Sequence, residues 1–258
     1  MAFFTPLAPD HWLPSVHTNG PWAEGFQHGG PPSALLGRAC ELVEPRPDLA
    51  VARVTVEILG PVPVAELELR SRVLRPGRSV ELVEAALSAG GRDVARASAW
   101  RVLRTEGVSV PSRAVAPPPM PEEQQEVAPQ GWGRGYLQAM EWRWAKGSFT
   151  EPGPATVWGR MLHELVPDEE PSPLVRVLAV ADSGNGVSSE LDMTRFHFIN
   201  PELTVHLHRE AVGEWVCLDA ATTVSEGGTG LATSVLSDVH GPVGVGAQSL
   251  LVAPRPQA

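Results

Sequence analysis

Residues 201–254 carry four strand-length segments in which apolar and polar side chains alternate: LTVHLH, EWVCLDAATTV, GLATSVLSDV and VGVGAQSLLV. Turn-rich breaks at 210–213, 225–228 and 240–242 separate them. Alternation with a period of two reads as half-buried strands, and the short breaks predict an antiparallel meander. A weaker copy runs over residues 52–104 as ARVTVEIL, PVPVAELELRSRVL, SVELVEAALSAGG and RDVARASAWRVLR. Thr55 and Trp100 are 45 positions apart, and so are Thr204 and Ser249. Two meanders of matching length predict one domain duplicated in tandem.

The segment before each meander adds a helix. Ahead of the first copy stands GFQHGGPPSALLGRACELV, in which Gly29, Gly30 and Pro31 suit a helix start, because proline has no N–H to lose in the first turn. Over residues 33–43 only Arg38 and Glu41 are charged, and they share one narrow face. Leu35, Leu36, Ala39, Cys40, Leu42 and Val43 cover the rest, so this helix must be surrounded by other elements. A twisted antiparallel sheet wrapped round one such helix is the hotdog fold. Before the second copy, the apolar run VRVLAVA reads as a buried strand that gives way to a shorter, more polar helix near Asp182. The pattern alone fits an α+β fold of two sheets, each wrapped around a helix and joined into one, with an unrelated α+β packing as the alternative. The parts of the two-sheet fold are an N-terminal repeat over 1–106, a Pro-rich linker over 107–133 and a C-terminal repeat over 134–258. Trp142 and Trp144 alternate with Arg143 in strand fashion, either as sheet packing or as the lining of a tunnel.

Composition narrows the function classes. A chain of 258 residues with 43% hydrophobic content can bury a substantial core. The net charge of −10 gives no electrostatic support to nucleic-acid binding, and an anionic ligand would need a local basic patch. Lys146 is the single lysine among 20 basic residues, which fits a GC-rich bacterial genome. Cys40 and Cys217 imply no disulfide framework and read as buried reduced thiols. The start MAFFTPLAPDHW has no secretory signal pattern, and no apolar run approaches the roughly 18 residues of a membrane span. A cytoplasmic protein is expected, with its assembly state open and a homo-oligomer among the choices.

Several residues stand out on their own chemistry. Asp182 lies between VRVLAVA and a Gly-Asn-Gly turn, where a carboxylate reads as an N-cap or as a base. Gln248 is a lone amide in an apolar strand and must find partners there. Asn200 precedes Pro201 and reads as a turn residue. Gly29 and Gly30 permit close approach of a ligand to backbone N–H groups at a helix start, where negative charge is favoured. His28 either contacts that ligand or packs. No GxSxG elbow is present, and His163-Glu164 lacks the second histidine of a metalloprotease motif. His206 and His208 have no acidic or cysteine cluster beside them in sequence, so neither metal nor cofactor is expected.

The runs HFINPELTVHLHREAVGEW, LSDVHGPVGVGAQSLLV, FQHGGPPSALLG and ADSGNG together resemble the TesB-like acyl-CoA thioesterase II family. The resemblance covers about residues 19–254, specific in the C-terminal half and looser over 107–170. It implies a double hotdog that hydrolyses acyl-CoA or related acyl-carrier thioesters. It also implies a catalytic Asp at Asp182 and a catalytic Gln at Gln248, with Gln248 able to hold a water by donating and accepting at once. The family has a hydroxyl residue, commonly threonine, eight positions before His208, where this chain has Asn200. A backbone N–H near Gly30 is the expected oxyanion donor. Hotdog hydratases carry a histidine five residues after their Asp, and here Val187 stands there. A non-catalytic acyl-CoA or acyl-carrier binding protein is the alternative, as is another acyl-thioester enzyme of the same fold.

Overall fold

The computed structural model describes all residues except 22, 24, 109, 111–114, 123–134 and 256–258. The first half runs β1 (Phe4–Ala8), β2 (His11–Pro14), α1 (Gly30–Leu42), β3 (Leu49–Ile58), β4 (Leu67–Arg75), β5 (Val80–Ala89) and β6 (Arg92–Leu103). The second half opens with a single turn, α2 (Tyr136–Ala139), then β7 (Met140–Lys146), β8 (Ala155–Met161), α3 (Pro173–Ala181) and α4 (Gly184–Val187). It closes with β9 (Phe196–Ile199), β10 (Glu202–Leu207), β11 (Val216–Val224), β12 (Thr229–Asp238) and β13 (Gly241–Pro254).

Among the described residues these strands form one antiparallel sheet in the order β1-β2-β4-β5-β6-β3-β10-β13-β12-β11-β8-β7, with β9 beside the end of β13. The order reads the same from both ends, six strands to each half. At the centre Thr55 pairs with Thr204, flanked by Val54 with Val205 and Val56 with Leu203. Thr55 and Thr204, the residues that align the two meanders in sequence, thus face one another at the point where the halves meet. This is the double hotdog, with a continuous sheet and one long buried helix per half.

Two sequence expectations need correction, and a third feature was not read from the sequence. Each meander covers only its last three strands, and the first strand of each set returns beside the last, β10 beside β13 and β3 beside β6. The connection after β10 is pinned where it crosses: Arg209 donates to both Asp238 carboxylate oxygens (2.5 and 2.7 Å) and to Gly241 O (2.7 Å). Second, VRVLAVA is not a strand; it lies in α3, where Ser172 caps Val175 N (3.2 Å) and Pro173 takes the first turn. A short apolar run does not distinguish strand from buried helix, and the Ser-Pro start was the discriminating signal. Third, the hairpin β1–β2 went unread; it occupies in the first half the edge that β7–β8 occupies in the second. Trp142 and Trp144 pack in the core, with Phe149 edge-on to both. The described part of 107–133 carries neither helix nor strand, and the remainder lies outside the described residues.

The helices α1 and α3 lie antiparallel against one another. A Cβ on Gly37 would sit 2.3 Å from Leu178 Cδ1, so glycine is what permits this spacing. At one end Ser172 Oγ donates to Glu41 Oε2 (2.5 Å). Burial, with repulsion from Glu210 and Glu169, pushes the Glu41 carboxyl up from its ordinary 4.5 to about 7, against the Ser172 bond and Arg38. Stability from the protonated form is therefore complete below the ordinary value and is lost as pH rises through about 7. Glu41→Gln should raise unfolding stability at pH 8 by on the order of 2–3 kcal/mol and change it little at pH 5. Denaturant unfolding at the two pH values measures this, and an equal effect at both would show that Glu41 does not titrate in the fold.

Candidate active site

Asp182 ends α3 as its C-cap residue, and α4 follows after Ser183. The expected N-cap role is absent: the N-cap of α4 is Ser183, which makes no side-chain capping bond. The antiparallel helix pair instead brings Asp182 against the start of α1. A Cβ on Gly29 would lie 2.6 Å from Asp182 Oδ2 and 2.8 Å from Oδ1, so only glycine fits at this place. Gly30 is similarly confined by Ala179 O at 2.6 Å.

Two side-chain amides converge on one oxygen of that carboxylate. Asn200 Nδ2 donates to Asp182 Oδ1 (2.9 Å), and Gln248 Nε2 donates to the same atom (3.3 Å) and to Asp182 O (3.0 Å). Gln248 Oε1 accepts from Asn185 N (3.0 Å), so the amide joins β13, α3 and α4, and it is 2% exposed. Its donors are thus spent on Asp182 rather than on a water. Asn200 owes its aim to a bulge: between the pairs Thr204 with Ala247 and Ile199 with Leu251, the Asn200 side has five steps and β13 has four. The extra residue falls where Pro201 withholds an N–H, and the bend redirects the Asn200 side chain.

His28 completes the cluster. Its Nδ1 accepts from Gly30 N–H (3.0 Å) and lies 3.3 Å from Asp182 Oδ2. Burial lowers its pKa, partly offset by the Asp182 charge, so the ring is neutral and carries its proton on Nε2. The expected oxyanion donor at Gly30 is therefore engaged. Pro31 and Pro32 have no N–H, and Ser33 N donates to Gly29 O (3.0 Å), which leaves the Gly29 N–H unbonded among the described residues.

Tyr136, the single tyrosine of the chain, was missed by sequence reasoning. It stacks on His28 with ring centroids 3.9 Å apart, and its hydroxyl donates to Ala179 O (2.6 Å) and meets Ser183 Oγ (2.9 Å). It holds the imidazole flat while satisfying a carbonyl at the end of α3. No periodicity marks it, because α2 is a single turn.

All six residues singled out from sequence, His28, Gly29, Gly30, Asp182, Asn200 and Gln248, thus meet at one place. A cavity of about 380 Å³ opens there between the halves, lined on the polar side by His28, Asp182 and Asn200 and on the apolar side by Val56, Ile58 and Val62. A larger cavity of about 700 Å³ adjoins it without touching Asp182. Burial pushes the thiols of Cys40 and Cys217 up to about 12, so neither is a thiolate near neutral pH. No helix among the described residues is long and apolar enough to cross a membrane.

The chain belongs to the acyl-CoA thioesterase family: the family's N-terminal domain matches residues 18–102 and its C-terminal domain residues 112–252. Among solved structures, it is similar to a protein from Thermobifida fusca provisionally described as a thioesterase II, at 17% identity and a TM-score of 0.75, covering 97% of this chain and 95% of that one. A hot dog fold protein of unknown function from Alicyclobacillus acidocaldarius gives 17% identity, a TM-score of 0.74 and coverage of 98% and 96%. An acyl-CoA thioesterase II, TesB2, from Mycobacterium marinum gives 15% identity, a TM-score of 0.65 and coverage of 99% and 96%. No curated protein matches the chain.

Gly29→Ala should push the Asp182 carboxylate off its amide donors and cost about 1–3 kcal/mol as overpacking. Gly186→Ala, where an added Cβ meets nothing within 4 Å, is the control and should be near neutral. Chemical denaturation of both variants checks this; equal stabilities would mean that Gly29 and Asp182 do not touch.

Proposed function

We propose that the protein hydrolyses acyl-CoA, or a related acyl thioester, by direct attack of water, with Asp182 as the general base. The observation that carries this reading is the division of labour within one carboxylate. Oδ1 receives both amides, while Oδ2 accepts no hydrogen bond among the described residues, and Asp182 lines the cavity between the repeats. A water beside Oδ2 gives up a proton to it as its oxygen attacks the thioester carbonyl carbon. Charge collects on the carbonyl oxygen, where the Gly29 N–H at the positive end of α1 and the Nε2–H of His28 are the available donors. Collapse of the tetrahedral species breaks the C–S bond. The proton held by Asp182 passes to the sulfur, giving the thiol and the free acid. Between those steps the proton on Oδ2 lies 3.3 Å from His28 Nδ1 and relieves the contact between two acceptor atoms there.

Gln248 and Asn200 act on this scheme by orienting the base, and the role of Gln248 as a direct water ligand gives way to that one. The inert thiols leave Cys40 and Cys217 out of the chemistry. The division into repeats over 1–106 and 134–258 with a linker at 107–133 remains part of the same proposal, since the substrate would lie across the two.

Asp182→Asn keeps shape and removes the base, and kcat should fall by about 100- to 10,000-fold with folding retained. Gln248→Ala should slow turnover and also lower stability, because Asn185 N–H and Asp182 O lose their partner. Asn200→Thr should hold or raise activity, since a hydroxyl can make the same donation. Steady-state thiol release across a panel of acyl-CoA substrates, with melting curves alongside, measures all three. Unchanged turnover in folded Asp182→Asn would refute the mechanism; a wild type inert on every acyl-CoA and acyl-carrier thioester would favour a binding protein.

A further inference from the structure

Arg255 lines both cavities and stands where they adjoin. It follows β13 directly, and it is half-buried. Its Nε donates to Met193 O (2.9 Å) and Phe196 O (3.2 Å), and its backbone N–H donates to Arg195 O (2.8 Å). These bonds hold the guanidinium stem in place while its two terminal nitrogens take no carboxylate among the described residues. Most other arginines that are not fully exposed, such as Arg38, Arg101, Arg143, Arg160, Arg176 and Arg209, are ion-paired. A half-buried cation without a counter-ion is costly, and more so in a chain of net charge −10 that has carboxylates to spare. Glu151 and Asp192 line the larger cavity, yet neither pairs with it, and Asp192 is held by Thr194 N–H (2.8 Å) and Thr194 Oγ1–H (2.7 Å).

Strand geometry sets the distance. Arg255 lies seven positions beyond Gln248, about 23 Å along an extended strand. Arg255 and Asp182 line one cavity, and the reach of their side chains shortens that span to on the order of 15–20 Å. Between the sulfur and the phosphorus of phosphopantetheine lie 13 bonds, equivalent to roughly four residues of extended chain or about 15 Å. We infer that Arg255 binds the phosphate at the end of the phosphopantetheine arm, so that it selects substrates by their thiol half and fixes the thioester at Asp182. This rests on the thioesterase reading. The same phosphate is carried by coenzyme A and by carrier proteins, and the arginine reads the group they share.

The test uses one acyl group on three thiols: coenzyme A, phosphopantetheine and pantetheine, the last without phosphate. Arg255→Ala should raise KM for the acyl-CoA and the acyl-phosphopantetheine equally, by about ten- to hundred-fold, as expected for a lost charge-assisted bond. The preference over acyl-pantetheine should collapse, kcat should be held, and Arg255→Lys should restore part of it. A KM increase of the same size on all three thiols would overturn the inference by making Arg255 a wall of the cavity. A loss confined to acyl-CoA would overturn it by moving the contact to the nucleotide. Calorimetric binding of free coenzyme A and pantetheine to wild type and Arg255→Ala makes the same comparison without turnover. An inert wild type would therefore count against hydrolysis alone, while equal binding by both proteins would count against Arg255.

Discussion

The close approach of α1 and α3 at Gly37 and Leu178 sets the geometry on which the site depends. Two helices buried under one sheet must choose a spacing, and here a missing side chain on one lets a leucine of the other fill the gap. Because the pair is antiparallel, the start of α1 meets the end of α3. That single fact carries Asp182 to Gly29, although 153 positions separate them in the chain. The central pairing of Thr55 with Thr204 holds the sheets in the matching relation, so neither helix can slide without breaking the strands beneath it.

The same pairing has a second end, and the two ends have diverged. At one, Gly29 and Gly30 leave room beside Asp182 and a cavity opens. At the other, Ser172 occupies the place of Gly29, caps its own helix and bonds to Glu41. The space left there amounts to about 10 Å³, too little for a substrate. A duplicated fold thus carries one open helix junction and one closed one. Glycine stands at the open helix start and serine at the closed one.

Much of this was legible in the chain because the strands are amphipathic and the period of two survives in both copies. The buried helix α1 announced itself through its near-continuous apolar surface, and the repeat spacing pointed to Thr55 and Thr204. Where reading failed, the local signal was ambiguous. VRVLAVA is apolar at every second and every third position alike, so periodicity favoured neither strand nor helix. The return of β10 beside β13 depends on pairing across the sheet, to which a turn-rich break gives no direction. Tyr136 sits in a single helical turn with no pattern around it. The residues Asp182, Gln248 and Asn200 were found through isolated polarity and family resemblance, whereas their hydrogen bonds could come only from three-dimensional placement.

Asn200 illustrates how a departure from a family pattern can leave the physical requirement intact. The resemblance puts a hydroxyl at this position, and the feature it would supply is one donor to Asp182 Oδ1. The Asn200 amide makes that donation at 2.9 Å, and the same oxygen also accepts from Gln248. The extra residue before Pro201 bends the backbone that carries this amide. What the proposed chemistry needs is an oxygen held by two donors and its twin left for water, and an amide or a hydroxyl at this position can supply one of those donors.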